Sequence, residues 1–203
     1  VTGVQTCALP ICSIGSAHNI LRYGSRGIAR VEEPGQPAPP PNPCLRFAGL
    51  RTKPGRILMQ VSSAMARGKT LAALDALCHA VHSLLRYQPG ATGIYTTAEE
   101  ALAGGRGVCQ DYAHVFIALA RLAGWHARYC MGLTVGEGAT HAWAEIYYEG
   151  AWHGFDPTRD CRTDASYLRF ATGRDAADCP VEQGTFYGLA DQTQTVFMRV
   201  KEI

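Results

Sequence analysis

Cys109 is the residue of this sequence best placed for nucleophilic chemistry. It follows a glycine-rich break at residues 104–107 and opens an apolar segment that is predicted to be a buried helix. The unpaired N–H groups and the dipole at a helix N-terminus favour a thiolate, and the same donors can hold the oxyanion that forms on a substrate carbonyl. A small buried cysteine at a helix start is the alternative, and position alone does not decide between the two.

A nucleophilic thiol needs a base, and the base needs a group that orients it. His141 fits best among the seven histidines, because Asp156 lies on the next predicted strand. If residues 149–150 form a two-residue turn, Trp143 lies opposite Asp156, which makes His141 and Asp156 diagonal neighbours on one face of the hairpin. A three-residue turn would place Asp156 on the other face. The sequence therefore predicts Cys109 as nucleophile, His141 as base and Asp156 as the group that orients the base.

The other histidines fit the role of base less well. His114 is five residues after Cys109, which turns it roughly 140° around the helix and predicts a packing or supporting role. His18 lies in the N-terminal region, away from the candidate motifs. No partner is evident in the sequence for the remaining ones, which are interpreted as surface or half-buried residues: His79, His82, His126 and His153.

A metal site is the main alternative chemistry. Cys109, His114, His141 and Asp156 are all zinc-ligand types, but the sequence lacks the CxxC and HExxH patterns that bring ligands together. Residues 104–107 share only their glycines with a phosphate loop, because the Lys-Ser/Thr ending is missing. No calcium loop of the DxDxDG kind occurs either. We therefore expect no metal and no cofactor.

The elements that must position these residues are helices first and strands later, which is typical of the α+β class. Apolar residues at helical spacing predict a helix over residues 69–87, and a capping-box pattern in residues 96–100 predicts a short helix to about Ala103. The nucleophile helix is predicted to run to Ala123. Alternating apolar residues predict four strands, over residues 127–133, 140–148 and 151–156 and around residues 196–200.

Composition and charge restrict the class of partner. Hydrophobic residues make up 47% of the 203 residues, charged residues 18%, and the net charge is +2, as in ordinary globular proteins. Nothing favours a nucleic acid or an anionic membrane as partner, and no apolar run reaches the length of a membrane span. The eight cysteines are irregularly spaced, so we interpret most of them as free thiols and expect a reducing, cytoplasmic location.

Three ordered segments resemble the transglutaminase-like proteins of bacteria. They are GRGVCQDYAH for the nucleophile, HAWAE for the histidine and GFDPT for the aspartate, at residues 105–114, 141–145 and 154–158. ARY at residues 127–129 followed by Gly132, and GRD at residues 173–175, extend the resemblance, which covers about residues 45–203. It implies a papain-like core, in which the nucleophile helix packs on an antiparallel sheet that carries the histidine and the aspartate.

The resemblance also implies acyl transfer through a thioester on Cys109. It favours a thiol peptidase or amidase acting on an amide or isopeptide bond of a peptide or protein. A protein-glutamine transglutaminase with an amine acceptor and a non-catalytic peptide-binding module on the same fold are the alternatives. Trp143 is interpreted either as a wall of the site or as a packed aromatic. Residues expected to bind substrate or the oxyanion are Gly107, Val108, Gln110, Tyr87, Tyr95 and Trp143.

Three regions are expected along the chain. Residues 1–11, VTGVQTCALPI, resemble the translation of a sequencing-library adapter and are interpreted as non-native, with a disordered terminus as the alternative; both exclude Cys7 from the chemistry. Residues 12–44 are interpreted as the remnant of an N-terminal β domain, followed by a semi-rigid linker with six prolines between Pro34 and Pro43. Residues 45–203 form the catalytic domain. The oligomeric state is not predicted from the sequence.

Overall fold

A computed structural model of the chain describes residues 14–16, 19–22, 24, 26–31, 36–65, 68–180, 187–188, 191, 193 and 195–201. The segment interpreted as adapter-derived, residues 1–11, lies outside the described residues. So do His18 and residues 32–35 at the start of the proline-rich run. The boundaries expected at residues 11 and 44 therefore stay predictions.

In the part of the chain that the structure describes, four α-helices precede the main sheet: α1 at Arg56–Ala64, α2 at Leu71–Leu84, α3 at Ala98–Gly104 and α4 at Cys109–Leu122. Thr97 and Glu100 form the predicted capping box of α3. α1 was not predicted, because its first N–H groups are capped from a distance: the Glu99 carboxylate accepts from Ile57 and Leu58. No helix in the described part of the chain is long and apolar enough to cross a membrane.

Within the described residues, nine strands form three separate sheets. The central sheet is antiparallel, with the strand order β7-β6-β5-β3-β8, and two small pairs, β1 with β2 and β4 with β9, lie outside it. The α+β class and the papain-like arrangement are confirmed. The strand bounds are Arg86–Tyr87 (β1), Arg106–Gly107 (β2), Ala127–Thr134 (β3), Gly136–Gly138 (β4), His141–Tyr148 (β5), Ala151–Asp156 (β6), Cys161–Arg162 (β7), Tyr167–Gly173 (β8) and Met198–Val200 (β9).

α4 is the centre of the hydrophobic core, as its almost uniformly apolar sequence predicts. The other three α-helices and strands β3 and β5 all contact it. On β5 the residues in this core are small or aliphatic, Ala142, Ala144 and Ile146, which allows the helix to approach the sheet closely. Phe116 of α4 stacks on Phe155 of β6, with 5.5 Å between ring centroids. This packing fixes the nucleophile helix against the strands that carry His141 and Asp156.

Helix α2 ends earlier than predicted. The helix predicted to reach residue 87 stops at Leu84, and Arg86–Tyr87 instead pairs in parallel with Arg106–Gly107. The Arg86 N–H donates to the Gly105 carbonyl at 2.9 Å, a contact between distant segments that local helix propensity does not reveal. This pairing matters for the site, because it brings Tyr87 beside Gly107 in the segment that leads into Cys109.

Candidate active site

The β5–β6 hairpin has the register on which the predicted pairing depends. Tyr148 pairs with Ala151 and Ala144 with Phe155, so the turn contains only residues 149–150. Both turn residues have positive φ, 47° at Glu149 and 83° at Gly150, as a tight hairpin turn requires. The register therefore places His141 and Asp156 as diagonal neighbours, and His141 Nε2 lies 2.6 Å from Asp156 Oδ2.

Asp156 is fully buried and all its contacts favour the carboxylate. Oδ2 accepts a hydrogen bond from the Tyr167 hydroxyl at 2.8 Å, and Oδ1 accepts from the backbone N–H groups of Thr158 and Arg159 at 3.0 and 3.3 Å. The Arg159 guanidinium lies 3.8 Å from Oδ2. Burial raises the pKa of Asp156, but the hydrogen bonds from His141 and Tyr167 and the positive charges of His141 and Arg159 outweigh it, so the pKa lies below its ordinary value.

His141 lies between this carboxylate and Cys109. Burial lowers the pKa of His141, but hydrogen bonds to Asp156 and Cys109 and the negative charge of both residues raise it overall, to about 9. Because Asp156 is bonded to Nε2, Nδ1 is the ring nitrogen left to face Cys109. The imidazole also stacks on Trp143, with 6.3 Å between centroids and 24° between planes. These contacts hold the ring in one orientation and favour its protonated form.

Cys109 is the first residue of α4 and is partly exposed. The N–H groups of Cys109 and Gln110 belong to the first helical turn and have no acceptor within the helix. The N–H of Val108 is occupied, because it donates to Asp111 Oδ2 at 2.8 Å. Gly107 is required here, since a Cβ at that position would lie 2.6 Å from the Cβ of Asp111. Of the residues expected to hold an oxyanion, Val108 therefore has its N–H engaged, whereas no described residue accepts a hydrogen bond from the N–H of Gln110 or of Cys109 itself.

The other residues expected to bind substrate lie at different depths. Tyr87 is 54% exposed, and burial followed by the charge of Cys109 raises its pKa, so it lies near the nucleophile. Tyr95 is exposed on the loop before α3, with the Arg51 guanidinium 4.9 Å from its ring centroid. The side chain of Gln110 reaches towards the same loop. Trp143 is only 1% exposed and packs with Cys130 and Tyr167. It therefore supports the His141 ring from the interior of the protein.

Sequence reasoning missed Tyr167. Its hydroxyl contacts Asp156, and its ring packs edge-on against Trp143 at 5.3 Å between centroids. Tyr167 begins β8, which pairs with β3 and not with the hairpin next to it in sequence. No local pattern indicates that pairing, so only the strand order reveals that this residue reaches the site.

Sequence reasoning also did not predict that one face of α2 contacts the segment after Asp156 and holds it in place. Asp75 pairs with Arg162, with 2.7 Å between Oδ1 and Nε. One turn further along the helix, His79 Nδ1 lies 2.6 Å from Asp160 Oδ2. His82 Nδ1 lies 3.1 Å from the carbonyl oxygen of Pro157 in the same turn. The spacing of Asp75, His79 and His82 places them on one helix face, so the histidines that were predicted to lack a partner anchor the segment that carries the orienting carboxylate.

Two further polar residues near the motifs have structural partners. His114 is fully buried and its Nε2 accepts from the Ala176 N–H at 3.1 Å, consistent with the predicted packing role. Glu145 is bound by two guanidinium groups, from Arg128 at 2.7 Å and from Arg169 at 2.6 Å. Among the described residues, no group of three or more His, Cys, Asp or Glu side chains converges in a way that could hold a metal ion.

Comparison with known proteins finds a family model that matches the stretch of chain in which these residues lie. The model of the transglutaminase-like superfamily matches residues 60–157, the stretch that contains Cys109, His141 and Asp156. This chain contains a transglutaminase-like domain. The resemblance predicted from the three motifs is thereby confirmed at the level of the superfamily.

Relatives of the transglutaminase-like domain occur in mycobacteria. An uncharacterized protein of Mycobacterium leprae is 36% identical over 116 residues, which are 52% of this chain and 41% of that protein. An uncharacterized protein of Mycobacterium bovis is 35% identical over 127 residues, 55% of this chain and 40% of that protein. The chain thus spans about two fifths of the length of the curated relatives it matches.

The solved structures include a similar fold in a proposed cysteine protease from Cytophaga hutchinsonii. That structure is 27% identical and superposes with a TM-score of 0.58, covering 68% of this chain and 48% of the other. The match extends beyond the three motifs to most of the chain, which agrees with the antiparallel sheet and central helix described above.

Proposed function

We propose that this chain is a cysteine-dependent acyl-transfer enzyme that cleaves an amide or isopeptide bond through a thioester intermediate on Cys109. The observation that carries the proposal is the position of His141 between the buried Asp156 carboxylate and the nucleophile. Asp156 receives four hydrogen bonds, from His141, Tyr167 and two backbone N–H groups. A protein that only bound peptides would have no need for a base held and charged in this way.

In the proposed mechanism the thiolate of Cys109 attacks the substrate carbonyl carbon, and the carbonyl electrons move to its oxygen. The N–H groups of Cys109 and Gln110 stabilise that oxyanion. When the intermediate collapses, the C–N bond breaks, and His141 Nδ1 gives its proton to the leaving amine. Water then attacks the thioester while His141 takes a proton from it, which releases the acid and restores the thiolate.

Asp156 acts on His141 and not on the substrate. Its bond to Nε2 fixes the tautomer, so that Nδ1 is the nitrogen that exchanges protons with Cys109 and the leaving group. Its negative charge stabilises the imidazolium, in agreement with the raised pKa of His141. The carboxylate is kept ionised and fixed in position by Tyr167, Thr158 and Arg159. Helix α2 in turn holds the segment that carries Thr158 and Arg159.

The experiment that tests the proposal is direct detection of the thioester. The protein is incubated with a pool of peptide amides, quenched in acid, and mapped by mass spectrometry for an acyl adduct on Cys109. Treatment with neutral hydroxylamine should remove the adduct, because hydroxylamine cleaves thioesters. Cys44→Ala serves as the matched control, since Cys44 is also a free and exposed thiol. The adduct should persist in Cys44→Ala and vanish in Cys109→Ala; its persistence in Cys109→Ala would contradict the mechanism.

A further inference from the structure

Asp111 is a buried carboxylate that the proposed mechanism does not use. It lies two residues after Cys109 and is fully buried. Its Oδ2 accepts a hydrogen bond from the Val108 N–H at 2.8 Å, and its own N–H donates to the Val108 carbonyl oxygen, also at 2.8 Å. Asp111 therefore holds both backbone polar groups of Val108, the residue that immediately precedes the nucleophile.

Thr92 makes a further contact with the same carboxylate. This residue is half-buried in the loop between β1 and α3, and its hydroxyl donates to Asp111 Oδ2 at 2.6 Å. The other oxygen, Oδ1, is buried and has no hydrogen-bond partner among the described residues. Burial raises the pKa of Asp111, and the hydrogen bonds from Thr92 and Val108 offset this only in part. Loss of the Thr92 hydroxyl would therefore leave a buried carboxylate with poorer support.

The backbone that Asp111 holds determines where the oxyanion donors point. Val108 is the extended residue before α4, with φ −116° and ψ −178°. Because the peptide bond is planar, the ψ angle of Val108 fixes the direction of the Cys109 N–H. An oxyanion donor acts at full strength only when it lies about 2.7–3.1 Å from the developing charge. A small rotation at Val108 would therefore weaken this donor.

We infer that Thr92 is a positioning residue, which acts through Asp111 to aim the N–H donors at the start of α4 at the substrate oxyanion. Without the Thr92 hydroxyl, the carboxylate can rotate and release the Val108 N–H. The inference rests on the proposed function, because it concerns the oxyanion of the same reaction. A purely structural role would instead make Thr92 an anchor of its loop, and its loss would then affect every reaction of Cys109 alike.

Two reagents separate the oxyanion donors from the reactivity of the thiol. With p-nitrophenyl acetate, the Cys109 thiolate attacks the acetyl carbon and the carbonyl electrons form an oxyanion, whose collapse releases p-nitrophenolate and leaves an acetyl thioester. With iodoacetamide, the same thiolate displaces iodide from a saturated carbon, and no oxyanion forms. The second-order rate constant of each reaction is measured on the wild type and its variants. The rate of Cys109→Ala, which reports the other cysteines, is subtracted.

Thr92→Val removes the hydroxyl and keeps the shape of the side chain. Its rate constant with the ester should fall about tenfold, as expected for one hydrogen bond to a charged group. Its rate constant with iodoacetamide should stay within about twofold of the wild type, because that reaction depends on the thiolate alone. Thr92→Ser keeps the hydroxyl and should retain the wild-type rate with the ester. Thr96→Val is the matched control, since the Thr96 hydroxyl oxygen accepts from the Gly93 N–H at 2.9 Å within the same loop, and it should change neither rate.

A wild-type rate with the ester in Thr92→Val, or an equal fall of both rate constants, would overturn the assignment. So would a loss in Thr96→Val as large as that in Thr92→Val, because it would point to the order of the loop and not to Asp111. A wild type that is not acetylated at Cys109 would contradict the proposed function and the inference with it. Acetylation of the wild type with no effect of Thr92→Val would contradict the inference alone.

Discussion

The hydroxyl of Tyr167 donates to Oδ2 of Asp156, the same carboxylate oxygen that faces His141 Nε2. The two distances are 2.8 and 2.6 Å, so one oxygen links the tyrosine of β8 to the imidazole of β5. Tyr167 is buried against Trp143, and its hydroxyl is engaged by Asp156. We therefore treat it as a positioning residue that acts through Asp156.

Replacing Tyr167 with phenylalanine should lower kcat about tenfold with little change in KM. The substitution removes one hydrogen bond to a buried charge, of the order of 1.5 kcal/mol, without changing the packing of the ring. The acidic limb of the pH–rate profile should also move up, since Asp156 loses a group that lowers its pKa. Steady-state kinetics across pH checks both effects. Tyr187→Phe, at a fully exposed tyrosine, should change neither; an unaltered profile in Tyr167→Phe would show that the tyrosine is only structural.

Asp156→Asn should leave the fold intact and lower kcat strongly. An amide can still accept from the backbone N–H groups, but it no longer favours the reactive tautomer of His141 or stabilises its charge. The corresponding change in a serine triad lowers kcat by ~10⁴, and a preformed thiolate–imidazolium pair should lose less. Circular dichroism reports whether the variant is folded, and steady-state turnover reports its kcat. A folded variant with unchanged turnover would show that Asp156 has no role in the mechanism.

Loss of His141 should destabilise the protein in a pH-dependent way. The pKa of His141 rises from 6.5 to about 9 on folding, so its contribution to the free energy of unfolding is complete below pH 6.5 and is lost as pH rises through 9. The difference between the wild type and His141→Gln should be on the order of 1–3 kcal/mol near pH 6 and shrink towards pH 9 and above. Urea unfolding at a series of pH values measures it. A difference that grows with pH would show that the histidine is not charged in the native state.

Cys109 should be the first cysteine alkylated at neutral pH. Cys78, Cys130 and Cys179 are buried, and burial raises the pKa of each thiol, to about 12 for Cys78 and Cys179; thiols in this state react slowly. Peptide mapping after limited iodoacetamide treatment gives the order of reaction. The exposed residues Cys44 and Cys161 provide the internal comparison, and earlier labelling of either would contradict a nucleophile activated by His141.

Hydrolysis should dominate over transfer to an amine. Glu145, the carboxylate that shares the strand face of His141, is bound by Arg128 and Arg169, so it is not available to attract a lysine amine. An acyl donor is incubated with and without a millimolar primary amine, and free acid and amide product are quantified. Free acid should predominate and a calcium chelator should have no effect. Mainly amide product, or loss of activity with the chelator, would support a transglutaminase instead.

The sequence alone determined the parts of this protein that depend on local chemistry. The capping box at Thr97 and Glu100 and the apolar residues around α4 each follow from residue type and spacing over a few positions. The sequence left two lengths open for the turn at residues 149–150, and the register in the structure shows the two-residue turn. Because the side-chain period of a strand is two, the turn length also set which face carries Asp156. Three short motifs were therefore enough to predict the nucleophile, its base and the orienting carboxylate as one group.

Only the tertiary structure decided what surrounds those three residues. Tyr167 reaches Asp156 because β8 pairs with β3, α2 holds the following turn through His79 and His82, and Tyr87 lies beside Gly107 because the chain after α2 pairs in parallel with the segment before α4. Each of these contacts joins segments far apart in sequence. Their free energy depends on packing across the whole core, which no local propensity encodes.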